Sequence, residues 1–152
     1  MKNFLCISFV FALVLGLAAG PVTAGNTPDE AEAMVKKALD FYKANGKERA
    51  IEALNDPQGE FIKGELYAFM FDYALNCLAH PANPKLVGKN LANLKDAEGT
   101  PFMQQMGEKA KAGGGWVDYK WTNPETKKLQ DKSSFALPVP NDEVFIGCGI
   151  YR

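Results

Sequence analysis

From Glu65 onward the apolar residues of this chain stop recurring at helical steps and begin to alternate, and both alternating sets are apolar. Leu66, Ala68 and Met70 fall on one side, and Tyr67, Phe69 and Phe71 on the other. Successive side chains of a strand point to opposite faces, so this strand must be covered above and below and belongs in the middle of a sheet. The rest of the chain has to supply those two covering layers.

Upstream, Thr27-Pro28-Asp29-Glu30 places a threonine at an N-cap, a proline at the first helical position and a glutamate able to reach back to the cap. Ala31, Met34, Val35, Ala38, Phe41 and Tyr42 then recur at three- and four-residue steps, which predicts an amphipathic helix ending at Gly46. A shorter helix is expected over residues 47–55, closed by the turn Asp56-Pro57-Gln58-Gly59. Downstream of the central strand, a second strand over 77–80 stops at Pro81, because proline cannot extend a ladder. Residues 85–99 read as an ordered loop anchored by Leu86, Val87, Leu91 and Leu94. Thr100-Pro101 opens a further capped helix that presents Phe102, Met103, Met106 and Ala110 inward. Three strands complete the chain, over about 116–123, 128–139 and 143–151, joined by turn-forming segments at 123–126 and 140–142. This order predicts an α+β fold in which a long N-terminal helix packs on a five-stranded antiparallel sheet. Gly147 and Gly149 inside the last strand mark a place where another backbone or a ligand comes close.

Lys2, the apolar run from Phe4 to Gly20 and the small-residue pattern Val22-Thr23-Ala24 have the form of a secretory signal peptide cleaved after Ala24. The run falls short of the roughly 18 residues of a confident membrane span. An uncleaved N-terminal anchor is the alternative. The expected organisation is therefore a signal peptide over 1–24 and one exported domain over 25–152. Cys6 lies within the apolar run rather than at its end, so it is not placed to carry a lipid anchor. The whole chain has a net charge of −1, and its leader removes only Lys2, so the exported part is slightly acidic. Nucleic acid, which requires a basic surface, is not an expected partner. Cys77 and Cys148 each read as a small apolar strand residue, and whether they pair in an oxidising compartment is left open. One histidine and two separated cysteines make no transition-metal site, and Asp72, Asp96 and Asp118 are too scattered for calcium.

Several segments together carry a family resemblance. They run from His80-Pro81 through Pro84, Leu86 and Gly88 to Asp96 and Gly99. They continue with Gly114-Gly115-Trp116-Val117-Asp118-Tyr119-Lys120-Trp121, Pro124, Lys132-Ser133-Ser134 and Gly147-Cys148-Gly149-Ile150-Tyr151. In this order and spacing, over essentially all of residues 25–152, the chain resembles a single Cache domain, the extracytoplasmic sensing module with a PAS-like sheet of bacterial chemoreceptors and histidine kinases. The resemblance implies a pocket between the sheet and the loop-helix segment for a small organic ligand such as a short carboxylate or amino acid. It also implies a periplasmic location. Because no output domain follows Tyr151 in this sequence, any signal is expected to pass through a partner such as a membrane receptor, kinase or transporter.

Strand parity sends Val117, Tyr119 and Trp121 to one face and Trp116, Asp118 and Lys120 to the other. Tyr119 and Trp121 can share a cavity wall, each an apolar ring with one hydrogen-bonding tip, although core packing accounts for both equally simply. Trp116 belongs either to the pocket or to the opposite face, against the N-terminal helix. Lysines are usually exposed, yet a cavity-facing Lys132 would neutralise a carboxylate while the Ser134 hydroxyl donates a second bond. The only two arginines, Arg49 and Arg152, lie outside these segments, so charge recognition would rest on lysine. His80 either bonds the ligand or ties down the following loop, and Tyr67 is a further candidate from the central strand. The resemblance favours the pocket reading for Tyr67, His80, Trp116, Tyr119, Trp121, Lys132 and Ser134.

Nothing in the sequence calls for catalysis or a cofactor. It contains no GxSxG, HExxH, CxxC or P-loop, and the glycine triplet at 113–115 follows a helix rather than opening one. The expectation is a non-enzymatic binding or sensory module in which the loop from Pro81 to Gly99 closes over an occupied cavity. The alternatives are a structural or interaction protein with a filled core and, more remotely, a small enzyme.

Overall fold

A computed structural model describes residues 26–152. The expected signal peptide over 1–24 lies outside the described residues, and no described helix is long and apolar enough to cross a membrane. Thr27 caps α1 (Pro28–Asn45) as predicted. The Glu30 N–H donates to Thr27 Oγ1 at 3.3 Å, and the Thr27 N–H donates to Glu30 Oε2 at 2.7 Å. Helix α1 ends at Gly46, whose φ of 81° disfavours a side chain and whose N–H bonds the Tyr42 carbonyl at 2.8 Å. The carbonyl of the same glycine accepts the Ala50 N–H at 3.1 Å and starts α2 (Lys47–Asn55).

The sheet contains β1 (Ile62–Lys63), β2 (Leu66–Asp72), β3 (Cys77–Ala79), β4 (Gly115–Thr122), β5 (Leu129–Pro138) and β6 (Val144–Tyr151). Its order is β1-β2-β6-β5-β4, with β3 also paired to β2, and every pairing is antiparallel. The five predicted strands are present. The small β1 was not anticipated; it joins β2 through the two-residue turn Gly64-Glu65, with Gly64 at a φ of 61°.

Strand β2 is covered on both faces. Leu66, Ala68 and Met70 share a core with Val35 and Ala38 of α1, Leu54 of α2 and Ile146 of β6. Tyr67, Phe69 and Phe71 share the other with Phe102, Met103 and Met106 of α3 (Phe102–Lys111). Burying a large apolar side chain contributes roughly 1.5–3 kcal/mol, so neither layer is dispensable. Cys77 and Cys148 are buried, unpaired, and lie one in each core, and burial pushes both thiols up to about 12.

Helix α3 departs from expectation at its start. Thr100 does not cap it; Pro101 stands at the N-cap with no side-chain bond to the helix. Instead, Asp96 Oδ1 accepts the N–H groups of Glu98 at 2.9 Å and Thr100 at 2.8 Å, folding the approach into a carboxylate-centred turn. Asp96 Oδ2 accepts the Lys120 N–H at 2.9 Å and so fastens this turn to β4. The loop ahead of it is held as well. Cys77 N–H donates to the Lys89 carbonyl at 2.9 Å, Gly88 N–H to the Cys77 carbonyl at 2.8 Å and Leu91 N–H to the Leu75 carbonyl at 2.8 Å.

Candidate functional site

Lys132 occupies the middle of the meander, opposite Tyr119 of β4 on one side and Tyr151 of β6 on the other. Its side chain is only 2% exposed. The stem passes over Gly149, where an added Cβ would lie 2.8 Å from Lys132 Cε and 2.6 Å from the Ser133 carbonyl. The close approach expected at Gly149 is therefore made by β5, first by the Ser134 hydroxyl, then by the Ser133 carbonyl and the lysine stem. A Cβ at Gly147 would meet the Phe69 ring at 2.5 Å, so the two glycines let side chains from neighbouring strands lie flat across β6.

The Lys132 amine donates to the Tyr67 hydroxyl at 2.7 Å, and that hydroxyl lies 3.2 Å from the Tyr151 hydroxyl, which in turn donates to the Thr122 carbonyl at 3.1 Å. Nζ lies 4.0 Å from the Tyr67 ring centre, 4.7 Å from that of Tyr151 and 5.9 Å from that of Phe69. Among the described residues, none of the ion pairs includes it. Aromatic faces and one hydroxyl replace bulk water poorly around an ammonium, and burial pushes Lys132 down to about 7 against smaller opposing pulls from Cys148 and Glu65.

His80 follows β3 and is buried beside Tyr67, with ring centres 5.0 Å apart, and lies parallel to Phe69 at 6.2 Å. Its Nδ1 accepts the Asn83 N–H at 3.0 Å, so the neutral ring carries its proton on Nε2. Burial, and then the charge of Lys132, push it down to about 3. The loop-tying role is thus occupied at one nitrogen while the other stays available as a donor. Asn55, at the end of α2, grips both sides of this segment: Nδ2 donates to the Leu78 carbonyl at 3.0 Å and Oδ1 accepts the His80 N–H at 3.0 Å.

Tyr119 and Trp121 share a wall as parity requires, and the Tyr119 hydroxyl lies 3.0 Å from Ser134 Oγ. The space beneath them is nearly filled. Phe102 stacks on Tyr119 at 4.3 Å and an interplanar angle of 1°, leaving a hollow of about 20 Å³ bounded by Phe69, His80, Leu86, Met103 and Trp121 among others. A volume of that order holds a single water. A second cleft of about 360 Å³ lies alongside, open to solvent, with Tyr67, His80 and Trp121 among its walls and Asn83, Asp96, Lys120 and Asn123 nearby. His80 and Trp121 border both spaces, so the hollow and the cleft adjoin.

Six of the seven expected residues, Tyr67, His80, Tyr119, Trp121, Lys132 and Ser134, therefore gather on one face. Trp116 does not join them. It lies on the opposite face against Phe135, packed on the core that contains α1. Tyr151 was missed, although counting outward from the turn at 139–143 sets it opposite Lys132. Phe102 and Asn55 were also missed, the first read as ordinary core and the second as the end of a helix.

A helix-backed antiparallel sheet with a loop and helix over a buried cation defines a PAS-like small-molecule sensing module. Residues 30–152 match Single Cache domain 2, and the chain belongs to that family. It is 35% identical over 85 residues to the sensor histidine kinase MctS of Rhizobium johnstonii, covering 56% of this chain and 18% of that protein. It is 29% identical over 86 residues to the methyl-accepting chemotaxis protein McpP of Pseudomonas putida, covering 56% of this chain and 16% of McpP. The match thus spans less than a fifth of either relative. Among solved structures, a methyl-accepting chemotaxis protein from Vibrio parahaemolyticus superimposes with a TM-score of 0.71 at 24% identity, covering 81% of this chain and 86% of that one. A periplasmic sensor domain of a chemotaxis protein gives 0.64 at 25% identity, with 81% and 88% covered. A Cache chemosensory domain described for carboxylic acid recognition gives 0.63 at 22% identity, with 81% and 86% covered. The Cache domain is a sensory ligand-binding module and is non-catalytic in itself.

Proposed function

We propose that this protein is an exported sensor of short carboxylates, which it holds by the carboxylate against Lys132. The observation that carries this reading is a buried amine with one hydroxyl partner and, among the described residues, no ion pair. A charge so placed is costly until an anion reaches it. Tyr67, His80, Tyr119 and Ser134 offer further hydrogen bonds to the ligand, while Trp121 and the apolar rim receive its tail. The Cache domain described for carboxylic acid recognition supports the same ligand chemistry. Amino acids, the other ligand class expected from the sequence, would present the same carboxylate to Lys132.

Because the hollow holds about one water, the ligand enters from the larger cleft and the wall formed by Leu86, Phe102 and Met103 moves outward. The anchors at Lys89, Leu91 and Asp96 restrict loop closure to the stretch from Pro81 to Val87. Unchanged hydrogen exchange there with and without acid would remove that step. Occupancy is passed to a partner receptor, kinase or transporter from the periplasm, after cleavage of the leader over 1–24. No catalytic role or cofactor is proposed.

A thermal-shift screen of acetate, propionate, lactate and pyruvate tests the reading. Acid at one hundred times its dissociation constant adds about 2.7 kcal/mol. Shifts lost in Lys132→Met support it; no shift with any of these acids favours the rival reading, a structural or interaction domain whose pocket is filled by Phe102 on Tyr119.

A further inference from the structure

We propose that the site takes up one proton with each carboxylate it captures, so that occupancy depends on pH as well as on acid concentration. This rests on the reading that Lys132 receives the carboxylate. The geometry makes the amine's charge depend on the guest. Free, the amine has one hydrogen bond, to a neutral hydroxyl, and three ring faces. Bound, a carboxylate supplies a full negative charge at hydrogen-bonding distance in a site that excludes water, and this holds the amine protonated.

The groups facing Lys132 come from every neighbouring element. They are Tyr67 of β2, with Glu65 just ahead of it; Tyr151 of β6, with Cys148 of the same strand acting from the other side of the sheet; Tyr119 of β4; and His80 after β3. Burial keeps the three tyrosines protonated well into alkaline solution, holds Cys148 up at about 12 and leaves His80 neutral above about 3. Glu65 is engaged with Asn123 Nδ2 at 2.7 Å. Lys132 itself loses its proton near 7 in the free protein. Below that pH the ammonium is already present and binding moves no proton. Above it, each captured acid draws one proton from solution, and apparent affinity falls about tenfold per pH unit.

The experiment is isothermal titration calorimetry of the protein with acetate, propionate and lactate from pH 6 to 9, in paired buffers of low and high ionisation enthalpy. The expected result is a dissociation constant nearly flat from pH 6 to 7 and weaker by about a hundredfold at pH 9. At pH 8.5 the difference in heat between the buffers should correspond to about one proton taken up per acid, and at pH 6 to almost none. Binding with the same dissociation constant and no buffer-dependent heat across the range would overturn the proton linkage and leave the carboxylate reading standing. Absence of binding by all three acids at every pH would overturn both.

Discussion

Replacing Lys132 with methionine should make the protein more stable while removing its ligand. Methionine is unbranched like lysine and carries no charge. The fall of the amine from 10.5 to about 7 amounts, at about 1.36 kcal/mol per unit, to a penalty of roughly 4–5 kcal/mol on the charged folded form. The substitution also gives up the Tyr67 hydrogen bond and the contacts with ring faces, together about 2 kcal/mol. The net expectation at pH 7 is a gain of about 2–3 kcal/mol. The pH dependence is the sharper test. A base whose folded pKa is depressed leaves the unfolded chain holding more protons between about 7 and 10.5, so wild-type stability rises with pH through that window. By pH 9 about 2 kcal/mol of the penalty has gone, and the advantage of the variant shrinks by that amount. Urea unfolding followed by fluorescence of Trp116 and Trp121, without added acid, at pH 7, 8 and 9 measures both quantities. A variant less stable than wild type by a constant amount across this range would show that the amine is not a desolvated charge, and the reasoning would fail.

Four other substitutions probe the supports of the site. Gly149→Ala places a Cβ 2.6 Å from the Ser133 carbonyl and 2.8 Å from Lys132 Cε; it should cost about 1–3 kcal/mol in urea unfolding and abolish the acetate-induced thermal shift even where the variant is folded. Asn55→Ala leaves the His80 N–H and the Leu78 carbonyl without their side-chain partner; a loss of about 1–3 kcal/mol is expected, with weaker acetate binding by calorimetry. Tyr67→Phe removes the hydroxyl that accepts from Lys132; the amine should then lose its proton at lower pH, visible in the pH profile of acetate binding. Thr27→Ala breaks the capping box on α1 and should cost about 1 kcal/mol in unfolding with acetate affinity unchanged, because neither Thr27 nor Glu30 lines the hollow or the cleft.

Much of this architecture was legible because strand parity and turn chemistry are local. The alternation from Leu66 to Phe71 divides the protein into its two cores without reference to any other segment. The capping box at Thr27 and the glycine at 46 bound α1 for similar reasons. Thr100 misled because its N–H answers to Asp96, four residues earlier, and that turn delays the helix to Phe102. Trp116 follows strand parity rather than the resemblance. Its neighbours Val117, Tyr119 and Trp121 face the pocket side, so Trp116 had to face away.

What sequence pattern does not carry is volume. Parity states which rings share a face, but whether they enclose a cavity depends on side chains arriving from elsewhere, and here Phe102 from α3 comes down flat on Tyr119. The same packing reconciles a filled core with a receptor. Rings stacked over a hollow of about 20 Å³ close the free state, while the Lys132 amine, joined to the adjoining cleft through the Tyr67 hydroxyl that lines it, keeps the electrostatic demand that an entering anion satisfies. Enlarging the hollow should separate the two effects. Phe102→Ala removes the stacked ring, costs about 3–5 kcal/mol as a core truncation, and opens room for a guest without touching Lys132. Relative to its own lower baseline, the variant should bind longer acids such as butyrate more tightly than wild type does, measured by calorimetry at pH 6. A parallel loss of affinity for acetate and butyrate alike would mean that Phe102 holds the ligand rather than its place.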